Sequence, residues 1–470
     1  MRIPFDLIAA VLCLGGITKC LSQEAKAGVV IMMPLGSTLA ACGGLVLLAW
    51  LMHELATRDA EWRTRFGTFP SGFGRGPHPL IVHTWTVRVA QGLSVLFYAG
   101  WLWACQWPVW VSQWPAALGL DPEGQIGGLH LANSSVVTMP LDLLPFLLCM
   151  VAAWIPRRRL ASRMRGRAIP LLSYLSYEAR LTWLPLVIGL LLSVVSDTAE
   201  MLPPQYTEWL KRPWMDLLTV IVFIAFTSLI LLPKLIIWLW KCKPMPEGEL
   251  KERLAALMRR SGVKAREIMV WGPRSTGLLN ACVLGGWARF RYVLISPALA
   301  DELGSEETEA VLAHELGHAR HGHLAFLFMM ILCLAALLDP VMAWLPESWR
   351  NSPFAEAGVL ISLVGAYMYF FYGTVMRQCE READLASAEL MGTPAPLIAA
   401  LEKLALLTGN VRHIWCWHHG SIAERVAAVQ QLSRDPEASL RFHARQRRTR
   451  ILFAILTVAA LGAELWAKLV

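Results

Sequence analysis

VLAHELGHARHGH, residues 311–323, is the stretch on which the reading of this chain turns. Within it His314 and His318 stand four apart, and on a helix residues four apart share a face. Two imidazoles presented to one point can hold one Zn²⁺. Glu315 follows the first imidazole, where its carboxylate can act on water as a general base. Two ligands and a base within five residues make the H-E-x-x-H arrangement of zinc hydrolases. The local sequence supports a helix. Ser305 is read as its cap, and Glu306 and Glu307 fall in the first turn, where the dipole favours negative charge. Ala310, Val311, Leu312 and Ala313 give an apolar approach to the histidines. His321 and His323 fall too far round or along this helix to be ligands and are read as interfacial residues. The third ligand that a metallohydrolase needs must therefore come from elsewhere in the chain.

The surroundings of the stretch are apolar. Of 470 residues, 56% are hydrophobic and only 17% charged, and there are 21 Trp, whereas soluble domains carry about 25% charged residues. This composition excludes an ordinary soluble enzyme and predicts a helical membrane protein. Apolar runs at 28–51, 89–110, 136–155, 181–196, 217–240, 324–345, 357–375 and 451–470 are candidate spans. Residues 3–21 are either a cleaved signal peptide or a further span, which gives about eight or nine spans in all. The net charge of +8 is concentrated in loops: Arg58, Arg63, Arg65 and Arg75 in one, Arg157, Arg158 and Arg159 with four more Arg in another, and none in 111–139. By the positive-inside rule this charge reports topology, with the basic loops cytoplasmic, rather than nucleic-acid binding. The ten Cys form no C-x-x-C and predict neither a disulfide framework nor a thiolate metal site.

On this reading the chain divides into a multi-span region 1–240, a first soluble block 241–323 ending in the H-E-x-x-H helix, a membrane hairpin 324–375, a second soluble block 376–450, and a last span 451–470. In the first block, 247–260 has helical periodicity, while 267–271, 280–284 and 291–296 read as short strands. The hairpin returns the chain to the side it left, so 376–384, MRQCEREAD, arrives beside the histidines. Glu380 and Asp384 share a face there. One carboxylate can bind the metal while the other orients a histidine from behind.

These residues resemble the HtpX and CAAX prenyl protease family of membrane-embedded zinc metallopeptidases. That family follows H-E-x-x-H with an apolar hairpin and then R-x-x-E-x-x-A-D, matched here by Arg377, Glu380, Ala383 and Asp384. Met376 stands where Ser is common. The family's Asn-Ala pair is matched by Asn280-Ala281. Its late His and R-[IV] step are matched by His419 and Arg425-Val426, with Gly420 in place of the usual Pro. The resemblance covers about residues 246–432 and implies a mainly α polytopic membrane protein with a zincin-like α+β protease domain facing the cytoplasm.

The resemblance further implies one Zn²⁺ on His314, His318 and Glu380, with Glu315 as base. Asp384 would orient a ligand, and His419 or Arg377 would steady the oxyanion. The substrate would be a membrane or unfolded protein lying along Asn280, Ala281 and Cys282 as an added strand. The expected partners are a peptide substrate and the bilayer, not nucleic acid, and the expected location is the inner membrane of a bacterium. Two alternatives stay open. Sensor transducers of the BlaR type share H-E-x-x-H and E-x-x-x-D, though they usually place Cys where this chain has Ala383. A non-proteolytic protein could use the zinc as a structural clamp, but such a site needs no base and favours four closed protein ligands.

Overall fold

The computed structural model describes residues 34–66, 79–113, 125–126, 129–130, 134–164, 168–182, 184–200, short pieces between 202 and 223, 226–272, 279–350, 352–408 and 411–469. The segment 3–21 and most of 217–225 lie outside them. The chain divides into two units, Met1–Leu210 with Leu345–Ile361, and Lys211–Trp344 with Ser362–Val470.

The first unit is helical: α1 (Leu35–Phe66), α2 (Pro79–Cys105), α3 (Ser135–Met164), α4 (Leu171–Thr182) and α5 (Leu184–Glu200). Its apolar core runs between α1, α2 and α3 through Tyr98, Leu102, Leu143 and Phe146. The Tyr98 hydroxyl donates to the Asp142 carbonyl at 2.9 Å. Pro140, Pro145 and Pro156 are all accommodated within α3. Asp197 of α5 closes the start of α3, accepting from Ser134 Oγ at 2.8 Å and from the Val136 N–H at 3.1 Å. A carboxylate suits that position, where helix N–H groups lack partners.

The second unit begins with α6 (Leu232–Leu239) and a four-stranded sheet carrying one helix, α7 (Glu249–Ser261). The strands are β1 (Lys243–Pro244), β2 (Glu267–Val270), β3 (Ala281–Leu284) and β4 (Tyr292–Ile295), in the order β1-β2-β4-β3. β4 is central and fully buried; it pairs parallel with β2 and antiparallel with β3. The strand β3 thus lies at an edge. Next come α8 (Ser305–Arg320), α9 (His323–Ala343), α10 (Pro353–Ala366), α11 (Gly373–Met391), α12 (Ala395–Leu407), α13 (Ile422–Arg434) and α14 (Pro436–Leu469); of α10, only the residues from Ser362 on belong to this unit. A π-helical turn, Tyr367–Tyr372, joins α10 to α11.

The cap of α8 is Gly304, not Ser305. Its N–H donates to the Glu307 carboxylate at 2.8 Å, so the acidic first turn caps the helix from within. Gly317, inside H-E-x-x-H, sets the closest approach of α8 to α11. A Cβ there would stand 3.0 Å from Ala386 Cβ and 3.1 Å from Ala383 Cα. Ser387 Oγ pins the same crossing by donating to the Ala310 carbonyl at 2.8 Å.

Among the described residues, four helical stretches are long and apolar enough to cross a membrane: Leu35–Asp59, Ser135–Arg159, His323–Ala343 and Gly358–Met391. About 20 residues cross the hydrocarbon. The last stretch has 34, so it is long enough to carry Glu380 beyond the hydrocarbon.

Candidate active site

His314, His318 and Glu380 meet where α8 crosses α11. Their ligand atoms lie within 4.8 Å of one another, the only such group among the described residues. The Nε2 atoms of His314 and His318 are 3.2 Å apart. Glu380 Oε2 is 3.6 Å from His314 Nε2, and Oε1 is 3.5 Å from His318 Nε2. Zinc–nitrogen and zinc–oxygen bonds near 2.0–2.1 Å in tetrahedral array put ligand atoms about 3.3 Å apart, so the three spacings fit zinc.

The proton inventory agrees with that fit. His314 Nδ1 is 2.9 Å from Asp384 Oδ1 and is placed to donate to it. His318 Nδ1 is 2.7 Å from His323 Nδ1. With a proton on each Nδ1, both Nε2 atoms turn lone pairs to the same point, next to a carboxylate. A cation resolves that confrontation. Burial holds the His318 pKa well below its ordinary value and keeps the ring neutral, as a ligand must be.

Glu315 is half-buried on α8, and desolvation there pushes its carboxyl up to about 7. It accepts a hydrogen bond from the backbone N–H of Val283 on β3. Because Asn280 bonds to Ser296 on β4 through its carbonyl, alternation along β3 directs the main-chain groups of Asn280 and Cys282 inward to β4. Those of Ala281 and Val283 face outward. Of the expected substrate-strand residues, Ala281 therefore faces the open edge through its main chain, and Val283 joins it.

Arg425 of α13 was not given a role by sequence reasoning. Its Nε and Nη2 make a fork to Asp384 at 2.9 and 2.6 Å, and its Nη1 is 3.2 Å from Glu380 Oε2. Burial disfavours its charge, but Asp384 and Glu380 outweigh that and raise its pKa above the ordinary value. The only trace of it in the sequence is the R-V step after His419.

His419 Nδ1 lies 3.0 Å from Glu380 Oε1. Arg377 does not reach the ligand atoms. It donates to the Trp417 carbonyl at 2.5 Å and to Thr374 Oγ1 at 2.9 Å, with its guanidinium over Trp415. It thereby holds the loop that carries His419. His323 is not interfacial: it is 2% exposed and bonded to Glu382 at 2.9 Å.

Residues 244–433 match the model of peptidase family M48. This segment, about two-fifths of the chain, carries a likeness to that family of metalloproteases. Among similar proteins, a protease HtpX homolog of Acidovorax ebreus is 26% identical over 212 residues, covering 39% of this chain and 71% of the relative. An HtpX homolog of Bordetella petrii is 28% identical over 34% of this chain and 56% of its own length. A CAAX prenyl protease 1 homolog of Arabidopsis thaliana is 27% identical over 40% of this chain and 49% of its own. The chain therefore spans about half to seven-tenths of these relatives. The crystal structure of S. mikatae Ste24p shares the fold with a TM-score of 0.51 at 15% identity, over 91% of this chain and 99% of that one. The likeness in fold thus extends well beyond residues 244–433 into the N-terminal helices. The M48 family implies a metal cofactor.

Proposed function

We propose that this chain is a membrane-embedded zinc endopeptidase that hydrolyses peptide bonds of membrane or unfolded proteins at the cytoplasmic face, in quality control or regulated processing. The observation that carries the proposal is the convergence of three ligand atoms at zinc spacing, with the half-buried Glu315 one residue from His314 and bonded to an edge strand. His314, His318 and Glu380 would hold one Zn²⁺, which when bound supplies Lewis acidity to water and to the scissile carbonyl. Glu315 takes the proton from attacking water and passes it to the leaving amine. His419, half-exposed beside Glu380, is placed to donate to the developing oxyanion. Asp384 and Arg425 hold His314 and Glu380 in line.

Substrate adds as a strand to the outward main-chain groups of Ala281 and Val283. This mode reads extended backbone more than side-chain identity. The raised affinity of Glu315 for a proton suits a group that must both accept and return one near neutral pH.

The test is purification in detergent, removal of metal by chelator, and add-back of zinc, with cleavage of an unfolded protein followed for the parent and Glu315→Gln. The expected result is one zinc per chain in both proteins and a loss of about 10²–10⁴-fold in rate for the variant. Equal zinc-dependent cleavage by the two would overturn the assignment of Glu315. Failure of the parent to bind zinc would overturn the metal site.

A further inference from the structure

Beside the proposed metal site lies a second set of buried groups that the reaction does not use, gathered round Glu382. His323 Nε2 is 2.9 Å from Glu382 Oε2, and His321 Nδ1 is 3.5 Å from Oε1. Two groups of α14 reach the same carboxylate: His443 Nδ1 at 3.3 Å from Oε1, and Arg450, whose Nη2 donates to Oε2. Glu382 is 3% exposed. The cluster touches the metal site at one point, the contact of 2.7 Å between His318 Nδ1 and His323 Nδ1.

Only one arrangement of protons satisfies this line with neutral imidazoles. If His318 keeps its Nε2 lone pair for the metal, its proton sits on Nδ1 and is donated to His323 Nδ1. That nitrogen must then be an acceptor, so the His323 proton sits on Nε2 and is donated to Glu382. Glu382 accepts from both His323 and Arg450 at Oε2, while Oε1 faces His443 and His321. The two histidines of H-E-x-x-H are thus held by parallel devices: His314 directly by Asp384, which Arg425 anchors, and His318 through His323 by Glu382, which Arg450 anchors. Asp384 and Glu382 are two residues apart on α11 and serve opposite sides of the site.

We propose that His323 and Glu382 are positioning residues that fix the tautomer and ring orientation of His318, and that Arg450 of α14 fixes Glu382 in turn. The proposal rests on the reading of His318 as a metal ligand. It makes the C-terminal helix part of the metal site without contacting the metal. That helix packs along α9, with Phe453 against Phe326 edge to face, so its placement is tied to the helix that His323 begins.

The experiment measures zinc affinity of the full chain in detergent by competition with a chromophoric chelator. It also records the visible absorption of the Co²⁺-loaded protein, whose band reports ligand geometry. Glu382→Gln and His323→Leu should each weaken zinc binding by about 10- to 100-fold and shift the Co²⁺ band, the range seen when a partner behind a metal-ligating histidine is lost. His323→Gln, whose amide can accept at one end and donate at the other, should recover part of the affinity. Arg450→Lys keeps the charge at the partly exposed end and guards against loss of the fold; it should weaken zinc by less than Glu382→Gln. His321→Leu, which stands outside the His318–His323–Glu382 line, should bind zinc like the parent. A lowered melting temperature of the metal-free Glu382→Gln and His323→Leu proteins, with affinity and Co²⁺ band unchanged, would make the cluster a plain helix clamp and overturn the proposal. A parent that binds no zinc would instead overturn the metal site itself.

Discussion

Each unit sets arginines around a buried histidine and a buried carboxylate, yet the two clusters end in different chemistry. In the first unit, His53 on α1 is satisfied at both ring nitrogens: Nδ1 meets the Ala49 carbonyl at 2.9 Å, and Nε2 meets Arg157 at 2.7 Å. Glu54 accepts from Arg58 at 2.8 Å and Arg159 at 2.6 Å. Each His53 ring nitrogen has its partner and Glu54 Oε1 takes two arginines, so the cluster joins α1 to α3. In the second unit, arginines and carboxylates hold the histidines only from behind, at Nδ1. Two Nε2 atoms and the Glu380 carboxylate are left facing one another. Convergence of two Nε2 atoms on one carboxylate, with each ring held at Nδ1 from behind, distinguishes this site from a structural clamp more than the residue types alone.

The sharpest test of that difference sets the same substitution in both clusters. Glu380→Gln removes a ligand and should abolish zinc binding at micromolar metal together with cleavage. Glu54→Gln should leave zinc stoichiometry unchanged and cost about 1–3 kcal/mol of stability, the scale of a buried charge-assisted hydrogen bond; thermal melting beside metal analysis reads both. A zinc defect in the Glu54 variant would break the comparison. A smaller effect is expected from Arg425→Lys, which keeps the charge but loses the fork to Asp384. Zinc affinity should fall by about tenfold, the lower end for loss of such support, as chelator competition would show.

The smallest effect is in pH. A base must be ionised, so kcat/KM should rise with pH through the titration of Glu315 and level off above about 7. A bound dication favours the carboxylate and moves that midpoint downward, so a rise centred well above 7 would assign the base elsewhere.

The parts of this site set by local spacing were readable in the sequence. His314 and His318 four apart, the apolar hairpin, and Glu380 with Asp384 on one face follow from helix periodicity, and the strands follow from short apolar runs between breakers. What depends on tertiary approach was not readable. Arg425 reaches Asp384 from 41 residues away, and no periodicity connects them. His323 was misread because a continuous helix would swing it away from His318. The helix instead stops at Arg320, and Gly322, with φ of 65°, restarts it in a new direction. That break turns the His323 ring back onto His318. The cap at Gly304 escaped notice for a related reason, since Glu307 supplies the capping group from inside the helix.

The order in which these groups appear along the chain has a consequence for biogenesis. A polypeptide emerging from the ribosome presents His314, His318 and Glu380 well before Arg425. Until then two carboxylates that will be buried have no guanidinium to bind them. The centre is therefore completed only after the hairpin has been laid down and the following helices have folded back.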